Sequence, residues 1–211
     1  MRLALLFVGC WSIGAAGVFD AQEATLPAES SFIIKLADEA IVADGTGDTC
    51  NTEESRAAFA NAFLGGYSTP HSTVPVNPTN CTSRMNGRGW DAGSAYRHAH
   101  PDSVADVMRE YGYKKFQGTG VWTVGFEAGD FQPDHATELL DPTRPRSCWE
   151  LLVIHSAELD AQLARIVPRD ALLHTTNLRV SANGYVSPLG DFYGYCQRQL
   201  YAVSMSADGE R

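Results

Sequence analysis

Residues 113–126 read YKKFQGTGVWTVGF, and here the periodicity of the chain changes from helical to two. Trp122, Val124 and Phe126 fall on one side of an extended backbone, and Val121, Thr123 and Gly125 on the other. That alternation predicts a half-buried strand. Downstream, Cys148–Ile154 (CWELLVI) is apolar on both faces, which predicts a buried central strand. Leu178–Pro188 and Tyr195–Met205 are two further strand candidates. Asn183-Gly184 fits either a two-residue hairpin turn or a bulge in one long bent strand. The bulge is preferred, because small barrels need glycine where strands bend. Between these strands, Leu159, Leu163 and Ile166 recur at helical spacing until Pro168 stops them. Strand, strand, helix, strand, strand predicts a small antiparallel barrel of the OB type, with about five strands and one inserted helix. Residues 30–43 or 113–119 would supply the missing strand.

Upstream the pattern is helical. Asn51 or Thr52 can cap a helix in which Ala58, Phe59, Ala62 and Phe63 recur, with Gly65-Gly66 as its expected end. Ser68–Arg88 holds three prolines and three asparagines and predicts an extended loop. Trp90–His100 is the next helix candidate, with Trp90, Gly93 and Tyr96 or Arg97 on one face. Its aromatic-plus-small pattern matches that of Phe59, Ala62 and Phe63, so two such helices can approach closely. A third helix, Val104–Tyr111, should turn Val104, Val107, Met108 and Tyr111 inward and end at Gly112. Residues 30–43 fit a strand or a short helix. The expected fold class is therefore α+β. A helical and loop-rich region, 18–112, packs on an OB-like barrel domain, 113–211.

The 211 residues are 44% hydrophobic and 19% charged, which excludes a disordered chain. Met1–Gly17 (MRLALLFVGCWSIGAAG) has one basic residue, an apolar run and a small-residue end, the pattern of a secretory signal peptide cleaved near Ala16 or Gly17. Phe7-Val8-Gly9-Cys10 also approximates a bacterial lipobox, which would place a lipid anchor on Cys10. Arg2 is the only charged group in that segment, so cleavage moves the net charge from −9 to −10. So acidic a chain offers no broad basic surface to nucleic acid. No membrane span is expected after signal cleavage. Cys50, Cys81, Cys148 and Cys196 remain, an even number that suits two disulfides in an oxidising compartment. Sequence leaves three pairings open; Cys50–Cys81 with Cys148–Cys196 is preferred because each closes within one half of the chain. No CxxC pair suggests zinc, and no metal or cofactor is expected. Asn80-Cys81-Thr82 fits the N-glycosylation sequon.

Trp122-Thr123-Val124-Gly125-Phe126-Glu127, then Phe131-Gln132-Pro133, then Cys148-Trp149 and the stretch Gly184–Gly194 (GYVSPLGDFYG) form a recognisable series. It resembles a group of small exported bacterial proteins of unknown function that share W-x-x-G-F-E-x-x-x-F-x-P, a tryptophan-containing strand and G-x-x-S-P-x-G-x-Y-G. The resemblance spans Gly120 to Met205, with Phe192 as one extra residue. It implies an OB-like barrel and a periplasmic or secreted location, and it implies no catalytic residues.

Glu127, Asp130 and Asp134, with His135 beside them, are the candidate acid/base or metal cluster; the plainer reading is a solvated loop at a strand end. His155 and Glu158 share His-x-x-Glu spacing, and His98-x-His100 is weaker, because helical residues two apart diverge. There is no G-x-S-x-G elbow, HExxH or phosphate loop. Aromatic residues crowd the C-terminal part, and Phe192, Tyr193 and Tyr195 in the loop Pro188–Tyr195 are the expected contact surface for a ligand or partner. These features predict an exported, disulfide-braced, non-enzymatic binding module whose partner is an envelope protein or glycan. The competing expectation is a small hydrolase using Glu127, Asp130, Asp134 and His135.

Overall fold

Ser31, Thr52, Asn80 and Ser156 each open a helix in the same way: the side-chain oxygen accepts the backbone N–H three residues on. They begin α1 (Phe32–Ala43), α2 (Glu53–Ser68), α3 (Cys81–Ala99) and α5 (Ala157–Ile166), while α4 (Val104–Glu110) gives way to Gly112 at φ +69°. The computed structural model describes residues 26–45, 47–70, 73–74, 76–77, 79–125, 128–135, 140, 146–154, 156–167, 175–188 and 198–207. Among the described residues no helix is long and apolar enough to cross a membrane.

Two helix boundaries differ from expectation. Gly65-Gly66 does not end α2, which runs to Ser68, and α3 starts at Cys81, so residues 81–88 are helix and not loop. The cause is contact between α2 and α3. A Cβ at Gly66 would run into the Trp90 carbonyl, one at Gly89 into the Phe59 carbonyl, and one at Gly93 into the Phe63 carbonyl. These glycines provide space for backbone approach. Each costs about 1 kcal/mol of helix propensity, which packing of Phe59, Phe63, Tyr67 and Met85 offsets. Residues 30–43, open between strand and helix, form α1, whose Ile33, Ala37 and Ile41 face the same core.

The second half closes into a barrel of β1 (Lys114–Gly125), β2 (Ala128–Pro133), β3 (Leu151–Ile154), β4 (Thr176–Val186) and β5 (Arg198–Ala207), in the order β1-β2-β3-β5-β4. α5 lies between β3 and β4, and β3 pairs with β5 in parallel. That topology is of the OB type. Four of the five seams are antiparallel as expected; the parallel one needs a crossover, which α5 supplies. The fifth strand comes from neither expected segment. Residues 113–119 belong to β1 itself, and β2 supplies the strand, so Asp130 sits in a ladder and not in a loop. Cys148 and Trp149 lie in a short 3-10 turn before β3. Strand β3 is apolar on both faces because Leu151 and Val153 enter the barrel core while Ile154 packs on the helical core.

The irregularity near Asn183-Gly184 is a bulge within a continuous pairing. Asn183 faces Ser204 and Gly184 faces Ala202, so Val203 is the extra residue. A Cβ at Gly184 would strike the Tyr201 carbonyl, which explains the glycine. Phe116, Trp122, Phe131 and Val180 fill the barrel, with Leu159 and Ile166 of α5 packed against them. Tyr201 points the other way, into the helical core with Tyr111 and Tyr113.

Candidate functional site

Polar groups concentrate where the helical layer meets the barrel. Arg97 near the end of α3 pairs with Glu158 in the first turn of α5, and the two side chains keep only 13% and 18% of their exposure. The other Glu158 oxygen accepts the Tyr201 hydroxyl at 3.0 Å. Arg97 donates a second N–H to the Tyr67 oxygen at 2.9 Å and lies over that ring, 5.1 Å from its centroid. Ser103 donates to the His100 carbonyl at 2.6 Å, so the 2.9 Å contact between Tyr67 and Ser103 is a donation from the Tyr67 hydroxyl. Burial works against the Arg97 charge, but the Tyr67 hydrogen bond and the Glu158 carboxylate outweigh it and raise its pKa. Burial first, and Glu158 second, push the Tyr201 phenol far up; burial also raises Tyr67. At physiological pH this is a fixed ion pair held between two neutral phenols.

α5 also grips the bulge. Gln162 donates to the Val203 carbonyl at 3.0 Å and accepts the Met205 N–H at 3.1 Å, satisfying backbone groups around the extra residue. Ser156 donates to the Ala202 carbonyl at 2.7 Å. The seam joins α2, α3, α5 and β5, and its chemistry is that of a joint. The sequence puts Arg97 on a packing face of one helix candidate and Tyr201 in the strand candidate Tyr195–Met205, and nothing local connects them. A charged residue beside Tyr96 on an otherwise small and aromatic helix face was the available signal.

The expected acidic cluster is divided. Asp134 is clamped by Arg179 through two hydrogen bonds of 2.6 and 2.5 Å and receives the Thr119 hydroxyl at 2.7 Å. Thr119 first, then Arg179, hold its carboxyl below the usual carboxylate range. Asp130 faces Thr123, while the Asp134 N–H bonds the Thr119 carbonyl; the four residue steps between these β1 positions span roughly 13 Å of backbone at about 3.3 Å each. Paired carboxylates of glycosidases stand about 5–9.5 Å apart. Partial burial raises the Asp130 carboxyl. His135 is exposed. Glu158 is committed to Arg97 and Tyr201, and Glu127 and His155 lie outside the described residues. Among the described residues no group of three or more His, Cys, Asp or Glu side chains could hold a metal ion.

Cys50 and Cys81 form a disulfide with Cα atoms 5.4 Å apart, tying the segment before α2 to the start of α3. Cys148 is also disulfide-bonded, to a partner outside the described residues. Asn80 of the sequon caps α3 by accepting the Ser83 N–H at 3.0 Å. Phe192, Tyr193, Tyr195 and Cys196 fall in the β4–β5 connection outside the described residues, as do Cys10 and the rest of residues 1–25. Comparison with protein-family models, curated proteins and solved structures finds no match to the chain.

Proposed function

We propose that this chain is an exported binding module that engages an envelope protein or glycan and performs no chemistry of its own. The carrying observation is sulfur. All three cysteines among the described residues are in disulfides, a state that persists in oxidising compartments. The OB-type barrel supports a binding role by analogy, since its wall and loops commonly receive ligands. The division of the carboxylates favours binding over hydrolysis. Asp134 is occupied by Arg179 and Thr119, and Asp130 sits four residue steps from it along the barrel ladder.

The test is a pull-down from envelope extract with disulfide-intact protein, beside a Phe192→Ala/Tyr193→Ala variant. A partner captured by the native chain and lost by the variant supports the reading and places contact in the β4–β5 connection. Equal recovery removes that loop from the contact surface. Four free thiols in exported material, counted by unreduced mass spectrometry, would overturn the exported, braced module itself.

A further inference from the structure

The barrel wall formed by β1, β4 and β5 carries a grid of neutral polar side chains. Gln117 stands beside Asn183, and Asn183 beside Ser204; one step along, Thr119 stands beside Ser181, and Ser181 beside Ser206. Alternation turns these positions outward, because Phe116, Gly120, Val180 and Ala182 between them are buried. The six line an open groove of about 450 Å³, within the range of small-ligand sites. On one side the next outward row is Lys115, Tyr185 and Tyr201; the two tyrosines pack against the helical core and Lys115 is exposed. On the other, Asp134 and Arg179 neutralise each other, with Thr119 bonded to the pair.

We infer that this groove receives a neutral glycan chain. The chain carries a net charge of −9, yet no charged side chain lines this surface. The groove presents two amides and four hydroxyls, groups that both donate and accept. That pattern matches the hydroxyls and acetamido groups of an uncharged sugar. Within the groove an anionic ligand would find no counter-charge: Arg179 at one end holds Asp134 with both terminal nitrogens, and Lys115 at the other stands one row outside the lining. Gln117, Asn183, Ser204 and Ser206 hydrogen-bond no other described group through their side chains, so their polar atoms face solvent or ligand. The site lies away from the β2–β3 wall, and β4 leaves it only three residues beyond Asn183, toward the aromatic connection. This inference rests on the binding-module reading and adds the ligand class and the wall that takes it.

The experiment titrates the full, disulfide-intact protein with a neutral N-acetylhexosamine trimer, a neutral glucose trimer and a galacturonate trimer, following backbone amide shifts. A neutral trimer should perturb residues 117–119, 181–183 and 204–206, and Gln117→Ala/Asn183→Ala should weaken it about tenfold, the loss of roughly two hydrogen bonds. Both positions are exposed, so the variant should keep the native spectrum elsewhere. Three results overturn the inference: no trimer perturbs the groove, the galacturonate trimer binds more tightly than the neutral ones, or a neutral trimer binds the double variant with unchanged affinity. In each case a protein partner captured from envelope extract leaves the module reading standing. Four free thiols would fell that reading even where the groove binds sugar.

Discussion

Gly93 on α3 and Gly129 on β2 are both glycines within regular structure, yet their surroundings differ. A Cβ at Gly93 would strike the Phe63 carbonyl and the Tyr67 nitrogen, whereas one at Gly129 meets nothing closer than the Val153 carbonyl at 4.0 Å. The helical layer is assembled backbone against backbone, with glycine as the spacer. The barrel is assembled by its ladder and by side chains alternating into a core. The barrel has close approaches of its own, at Gly120 against the Gln132 carbonyl and at Gly184 against the Tyr201 carbonyl, but Gly129 is not among them, so added volume on α3 should cost far more than at Gly129. Gly89→Val/Gly93→Val is expected to destabilise the fold by at least about 4 kcal/mol, since backbone and not flexible side chain stands in the way. Gly129→Ala should stay within about 0.5–1 kcal/mol of the native chain. Urea unfolding followed by far-UV dichroism checks both, and equal losses would dissolve the contrast.

The next largest effect concerns what holds the helical layer to its N-terminal segment. The Cys50–Cys81 link spans a sequence separation of 31, worth about 3–4 kcal/mol in the chain-entropy model. Cys50→Ser/Cys81→Ser should lower the urea midpoint accordingly and loosen α2 and α3 first. Hydrogen exchange would resolve this: protection should fall in residues 53–68 and 81–99 while β1 and β4 keep theirs. A uniform loss of protection would mean that the two regions unfold as one unit.

The seam between them is measured by Arg97 and Glu158. Removing one partner strands the other in a partly dry site; full burial would cost about 3–5 kcal/mol, and the remaining solvent contact brings the expectation to about 2–3 kcal/mol. Arg97→Met and Glu158→Gln should each lose that much, and the double variant should lose less than their sum. Additive losses would mean that the pair contributes nothing jointly and that packing alone joins helices to barrel.

The same contrast explains what could be read from sequence. Period-two alternation reports one buried face, so β1, β4 and β5 were legible, as was α5 from Leu159, Leu163 and Ile166; a bulge near Asn183-Gly184 was legible too, but its extra residue, Val203, lies on β5. Strand β2 was not, because Ala128–Pro133 shows one inward aromatic, Phe131, among polar and small residues. The first half of α3 was hidden for a different reason. Asn86, Gly87 and Gly89 are poor helix formers, and what favours helix there is tertiary: Gly89 lies against Phe59 of α2 and Gly87 against Val76. Arg97, Glu158, Tyr67 and Tyr201 come from four elements, so no local spacing could announce the joint. The neutral groove escaped likewise, since its grid exists only once β1, β4 and β5 are in register.

The smallest expected effect separates the wall from the seam by pH. Asp134 and Glu158 each face an arginine, but Arg179 is half exposed while Arg97 is largely covered. The Asp134 carboxyl is held below its ordinary value near 3.9 by Thr119 and Arg179. A carboxylate whose folded pKa is depressed contributes stability above the unfolded pKa, and that contribution disappears as pH falls through the folded value. The gap in urea midpoint between the native chain and Asp134→Asn should therefore be small and level from pH 7 down to about 4, then close below it. Salt should narrow the gap, because the pair stands in solvent. Thr119→Val should close part of the same gap without touching Arg179. If the gap instead closes between pH 7 and 5, or ignores salt, Asp134 is not held by these two partners, and the wall beside the groove does not carry the neutralised pair that its proposed ligand class requires.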